Sequence, residues 1–124
     1  MLTILLIEDN LNHARLMWKI LGMSDYSVIS AHEGRQGLEI ANFCEPDVIL
    51  LDMHLPDISG KDVLHKLRTN AKLQTVPIIA VTADAMHGDR ERILDYGFDG
   101  YVAKPISRVE LYNTINQLLA VSES

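Results

Sequence analysis

Five short apolar runs punctuate the chain, at Thr3–Ile7, Ser27–Ser30, Asp47–Leu51, Val76–Val81 and Gly100–Ala103. Three of them are almost uninterrupted Val, Ile, Leu and Ala, which suits strands covered on both faces rather than strands with one wet face. Between and after them, apolar residues recur at helical spacing and predict helices over Leu11–Gly22, Arg35–Cys44, Gly60–Thr69, Asp89–Gly97 and Arg108–Ala120. In the first, Ala14, Met17 and Leu21, joined by Trp18 as a packing residue, share one face, and Gly22 is placed to end the helix. In the third, Val63, Leu64 and Leu67 face inward while Lys61, His65 and Arg68 face out. Ser107 with Glu110 three residues later reads as a capping box, after which Leu111, Ile115, Leu118 and Leu119 form the stripe of the last helix. Pro46 and Pro77 open the third and fourth strands, where a missing N–H is tolerated. Five β-then-α repeats predict an α/β domain, with a parallel sheet, helices on both faces and right-handed crossovers.

Composition narrows the picture. At 124 residues the chain fits one domain of ordinary size. Its net charge of -6, with no cluster of Lys or Arg, argues against direct nucleic-acid binding. Cys44 is the one cysteine, so neither an internal disulfide nor a thiolate metal cage is available, and it reads as small core filler. The apolar runs are too short to span a bilayer, and Glu8-Asp9 interrupt the first of them early, so no secretory signal is expected. A cytoplasmic protein with no membrane contact is expected.

Polar residues stand where the apolar runs end: Glu8-Asp9, Asp52, Thr82 and Lys104. If the runs are parallel strands, these groups emerge at the carboxyl rim of the sheet, where ligands of such folds bind. An isolated acid after a strand is ordinarily a turn former or a helix cap. An acid pair, an acid, a hydroxyl and a cation on four strand ends form a more specific pattern. Two carboxylates about 4 Å apart repel by about 4 kcal/mol at an effective dielectric of 20. Glu8, Asp9 and Asp52 carry -3 and Lys104 returns +1, so the remaining -2 matches one divalent ion. Oxygen ligands with positions left for water favour Mg²⁺. Lys104 and the Thr82 hydroxyl are suited to phosphoryl oxygens, and Asp52 to a nucleophile that becomes an aspartyl phosphate.

Glu8-Asp9-Asn10, Leu51-Asp52-Met53-His54-Leu55-Pro56 with Gly60, Val81-Thr82-Ala83 and Lys104-Pro105 together resemble the receiver domain of two-component response regulators, in that family's order and spacing. The likeness is greatest to single-domain regulators of the chemotaxis and cell-division type and to receivers of hybrid kinases. It implies a flavodoxin-like, doubly wound five-stranded sheet of order 2-1-3-4-5 with five helices, a receiver spanning residues 1–121, a short tail at 122–124 and no output domain. It implies that Asp52 takes phosphate from a histidine kinase or a phosphotransfer protein. Asp9, Asp52 and the backbone carbonyl of His54 would bind Mg²⁺, with Glu8 acting through water. Thr82 and Lys104 would hold the phosphoryl oxygens, Ala83 would leave room for entry, and Lys104-Pro105 would be cis. Thr82 and Tyr101 would form the switch that reshapes the surface of helix four, strand five and helix five for a downstream protein target. His54 and Asp84 would tune the phosphate lifetime, and the protein would be a monomer or a weak dimer.

The other residues receive plainer readings. None of the five histidines forms an HxxxH or HExxH pair, so a histidine metal site is not indicated. His13 either lines the rim, one helical turn after the acid pair, or is an ordinary surface residue. His54 reads as a solvated loop residue, and Asp57, Asp62, Asp89, Glu91 and Asp95 as solvated surface. An aspartyl phosphatase of the dehalogenase type would carry a second acid where His54 stands. A flavodoxin-like electron carrier would need a Ser/Thr/Gly-rich phosphate loop where Glu8-Asp9-Asn10 stand.

Overall fold

The computed structural model describes residues 2–23, 26–83 and 89–123. In chain order the elements are β1 (Leu2–Ile7), α1 (Leu11–Gly22), β2 (Tyr26–Ala31), α2 (Gly34–Cys44), β3 (Val48–Asp52), α3 (Gly60–Arg68), a 3₁₀ turn at Ala71–Leu73, β4 (Ile78–Thr82), α4 (Asp89–Asp95), β5 (Gly100–Ala103) and α5 (Arg108–Glu123). The strands form one parallel sheet of order β2-β1-β3-β4-β5. This is the flavodoxin-like α/β fold that the strand pattern and the family resemblance imply. Strand ends shift by a residue or two from their predicted positions. Most consequentially, Asp52 lies inside β3, because Met53 N–H still bonds to the Val81 carbonyl at 3.1 Å.

The period-two alternation of the strands divides the core into two layers. Ile4, Leu6, Val48, Leu50, Ile79, Val81 and Val102 turn to the side of α1 and α5, where they meet Met17, Leu21, Leu111 and Ile115. Leu5, Ile7, Ile49, Leu51, Ile78 and Ala80 turn to the other side, against Val63, Leu64 and Leu67 of α3 and Ile93 of α4. The three central strands are buried along nearly their whole length, which accounts for their unbroken apolar runs. Cys44 packs at the margin of the second layer, as its small apolar character implies.

Side chains satisfy the helix ends. Asn10 Oδ1 accepts from the N–H groups of Asn12 and His13 at 3.0 and 3.1 Å. Ser59 Oγ accepts from Asp62 N–H at 3.2 Å, and Ser107 Oγ from Glu110 N–H at 3.4 Å, the Ser107 half of the predicted capping box. The α2 terminus departs from expectation. Asp57, read from sequence as solvated surface, accepts from Gly34 N–H at 2.8 Å and Arg35 N–H at 2.9 Å. These bonds tie the β3–α3 loop to α2 and hold the Asp57 carboxyl below its ordinary value. At the opposite end of the sheet, Arg68 donates to the carbonyls of Leu73 and Val76, each at 2.7 Å, and pairs with Asp99 at 2.6 Å. Asp99 in turn accepts from Ile78 N–H at 2.8 Å.

Trp18 is a second departure. It is 57% exposed rather than packed, because β2 is the sheet edge and no further strand lies beyond it to cover that flank of α1. Leu16, on the same helix, is 45% exposed, whereas Leu50 is fully buried. Leu50→Ala should therefore cost about 2–5 kcal/mol in urea unfolding, and Leu16→Ala no more than about 0.5 kcal/mol. Equal costs for the two would contradict the layer assignment.

Candidate functional site

The register of the strands builds the site. Ile7 pairs with Leu51, Asp52 with Val81, and Thr82 with Ala103. Glu8 and Asp52 thus end their strands at one level, Thr82 stands one residue further along, and Lys104 one further again. Alternation then sorts the side chains. Glu8 continues the face of Ile4 and Leu6, Asp52 that of Val48 and Leu50, and Lys104 that of Val102, all on the side of α1 and α5. Thr82 continues the opposite face, where Tyr101 also packs at the margin of the core. Asp52 therefore shares its face with Glu8 and Lys104, while Thr82, one residue further along the neighbouring strand, continues the opposite face.

The contacts follow from that placement. Lys104 Nζ lies 2.6 Å from Glu8 Oε1 and 3.4 Å from Asp52 Oδ2. Asp52 Oδ1 accepts from His54 N–H at 3.0 Å, and Glu8 Oε2 from Asn10 N–H at 3.2 Å. Glu8 and Asp52 are buried to 1% and 4% exposure, while Asp9 is exposed beside them. One ligand oxygen from each of the three carboxylates falls within 4.8 Å of the others. Glu8 Oε1, buried against the ammonium, has the ion pair but no aligned hydrogen bond. An all-oxygen donor set with such an under-satisfied buried oxygen fits a hard divalent cation.

Electrostatics divides the two buried acids. Burial, and then a hydrogen bond with Asp52, push the Glu8 carboxyl up to about 7, against the opposing pull of Lys104 and Asn10 N–H. Burial also opposes ionisation of Asp52, but the hydrogen bonds from Glu8 and His54 N–H and the charge of Lys104 outweigh it and hold that carboxyl below its usual range. Without a metal, the buried pair therefore holds a proton to higher pH than ordinary carboxylates do, with the upward pull on Glu8 and the downward one on Asp52.

Around this centre, the Lys104-Pro105 peptide is cis. Thr82 lines a cleft of about 290 Å³ together with Met53, His54, Lys61, Ile93 and Tyr96, so the site opens toward α3 and α4. His54 and Ala83 are exposed, and Asp84 lies outside the described residues. Of the two readings of His13, the structure supports the rim. Its Nδ1 is 3.0 Å from Lys104 Nζ and 3.8 Å from Glu8 Oε1, a contact across 91 residues that only its position one turn after the acid pair foreshadows. Gly60 is a contributor that sequence reasoning placed in the motif without a role. A Cβ there would come within 2.7 Å of Met53 Cα and 2.8 Å of the Asp52 carbonyl, so a side chain would push the loop carrying His54 out of place.

The response regulator receiver domain family matches residues 4–116. The polar-differentiation response regulator DivK of Brucella ovis is 38% identical over 117 residues, covering 94% of this chain and 95% of that protein. Among solved structures, the receiver domain of a sensor histidine kinase from Pseudomonas aeruginosa PAO1, with magnesium ion coordinated in its active-site cleft, is similar at a TM-score of 0.88 and 34% identity, covering 96% of this chain and 98% of that one. The chemotaxis protein CheY4 of Vibrio cholerae shares the fold at a TM-score of 0.87 and 23% identity, covering 95% and 98% of the two chains.

The raised Glu8 carboxyl makes a stability prediction with a definite sign. A carboxyl raised from 4.5 to about 7 contributes fully below the lower value, and its contribution is lost as pH rises through the upper one. In chelator-treated protein, Glu8→Gln should therefore gain melting temperature relative to wild type between pH 5 and pH 8. A constant difference across that range in thermal melts would contradict the shared proton.

Proposed function

The chain belongs to the response regulator receiver domain family, whose members are signalling phosphoacceptors rather than turnover enzymes, and on that footing we propose that Asp52 is its phosphoryl acceptor and that the rim around it is the working site. The observation that carries the assignment is the position of Asp52, paired with Lys104, with two further carboxylates at hand and Thr82 one residue along on the neighbouring strand. His54 N–H occupies Asp52 Oδ1, leaving Oδ2 toward the Lys104 ammonium as the attacking oxygen. That oxygen bonds to the phosphorus of a phosphohistidine, the P–N bond breaks, and the imidazole of the donor leaves with the electron pair. Lys104 neutralises charge on the transferring group from one side while the Thr82 hydroxyl donates from the other. Glu8, Asp9, Asp52 and the His54 carbonyl would hold Mg²⁺, which when bound offsets the repulsion of the carboxylates and draws charge from the phosphoryl oxygens. The donor set described above supports that ligation.

Phosphorylation changes the charge at Asp52 from -1 toward -2 and adds acceptor oxygens. Thr82 stands one residue further along on the neighbouring strand, on the opposite sheet face, and drawing it inward would vacate space toward Tyr101, half-buried on that same face. This couples the site to the surface of α4, β5 and α5, where a downstream protein would read the state as a population shift. A histidine kinase or phosphotransfer protein would supply the phosphate in the cytoplasm to a receiver spanning residues 1–121 that is a monomer or a weak dimer. His54 and Asp84 stand two residues after the acceptor and after Thr82, and they would set how water reaches the aspartyl phosphate.

Incubation with acetyl phosphate and Mg²⁺ should add one phosphoryl group per chain by intact mass and then stop. Asp52→Asn should take none, and Lys104→Ala should label at least about tenfold more slowly. Labelling of Asp52→Asn to the wild-type level would overturn the assignment, as would continuous turnover of small phosphomonoesters. Exchanging His54 or Asp84 should alter the decay rate of the phosphoprotein, followed by loss of the added mass.

A further inference from the structure

The flank of α1 opposite the edge that carries His13 is apolar, uncovered and positively charged. Leu11 and Trp18 are 58% and 57% exposed there, two of the large apolar side chains that the protein leaves in water. With Ala14 they wall a groove of about 500 Å³ between α1 and the open edge of the sheet at β2. That volume is enough to seat a compact apolar group. Its ionisable lining residues are Arg15, Lys19 and His32, with no carboxylate among them. The helix itself contains no Asp or Glu, in a chain whose net charge is -6. An apolar slot with a basic border on an otherwise acidic protein is a complementary surface for an acidic partner.

We propose that this groove docks an acidic amphipathic segment of a partner protein, which places apolar side chains between Leu11, Ala14 and Trp18 and carboxylates against Arg15 and Lys19. A second copy of the chain fits poorly, because a two-fold contact would set Arg15 and Lys19 against their own counterparts. The groove lies on the far side of α1 from the contact between His13 and Lys104, so its occupant leaves the rim of Asp52 open to a phosphoryl donor. His32 joins the two regions, since its Nδ1 lies 3.4 Å from the Glu8 backbone carbonyl. The inference does not depend on the identity of the phosphoryl acceptor.

Trp18 is the only tryptophan and therefore reports on the groove directly. The probe is a synthetic helical peptide of about 14 residues, or four turns, with Leu at i, i+3, i+4 and i+7, Glu at most other positions and no aromatic residue. Its counterpart carries Lys in place of every Glu. The Glu peptide should blue-shift Trp18 emission saturably, and the Lys peptide should not. The double variant Arg15→Glu/Lys19→Glu, whose exposed side chains leave folding intact by circular dichroism, should bind the Glu peptide at least about tenfold more weakly and prefer the Lys peptide. Labelling by acetyl phosphate should be unchanged in that variant, which separates this inference from the assignment of Asp52. Equal responses to both peptides, no response to either, or unaltered binding by the double variant would overturn the proposal. So would an emission shift with protein concentration alone accompanied by dimer in sedimentation, which would make the groove a self-interface.

Discussion

Lys104 is the positive charge that makes the carboxyl rim of this sheet possible. Glu8 and Asp52 are both almost fully buried, and Lys104 Nζ reaches 2.6 Å from one and 3.4 Å from the other. Without it, two carboxylates removed from water would face each other with little to offset the cost of desolvation. Even with it the balance is incomplete, and burial still pushes the Glu8 carboxyl up to about 7. The site is thus built under charge frustration, which an added cation relieves and an added phosphoryl group rearranges. Strand register, the closeness of Gly60 to the Asp52 backbone and the rim position of His13 all bear on this one contact.

Much of this was legible in the chain. Unbroken apolar runs located the strands because strands covered on both faces have no polar face to conceal them, and the polar residues at their ends mark the rim because parallel strands finish on one side. Strand parity, once the ends are known, even assigns Lys104 and Thr82 to opposite faces. What escaped reading depends on neighbours distant in sequence. Asp57 caps a helix that begins 23 residues earlier in the chain, so no local pattern announces it. Trp18 has the spacing of a core residue, and only the position of β2 at the sheet edge leaves it in water. His13 read more readily as an ordinary surface residue than as part of the rim, because helix phase cannot say which loop lies opposite, and here it is the one carrying Lys104.

The two faces of the sheet have different work. On the side of α1 and α5 lie the ammonium and the carboxylates, which fix charge in place. On the side of α2, α3 and α4 lie Tyr101 and Thr82, the latter in the wall of the cleft toward α3 and α4. On the proposed reading, donor chemistry and conformational response would use opposite faces of the sheet around one aspartate. The groove beside Trp18 adds a third address on the molecule, on the flank of α1 away from Lys104 and linked to the rim through His32.

The Arg68 cluster gives the opposite end of the domain a contrasting mechanical character. One guanidinium ties the end of α3 to the turn before β4 and to Asp99 ahead of β5, with short bonds to two carbonyls and a carboxylate. The strand origins are clamped where the strand termini are electrostatically uneasy. One side chain thus joins the end of α3, the entry to β4 and the entry to β5, so the order of the strand origins depends on a single guanidinium.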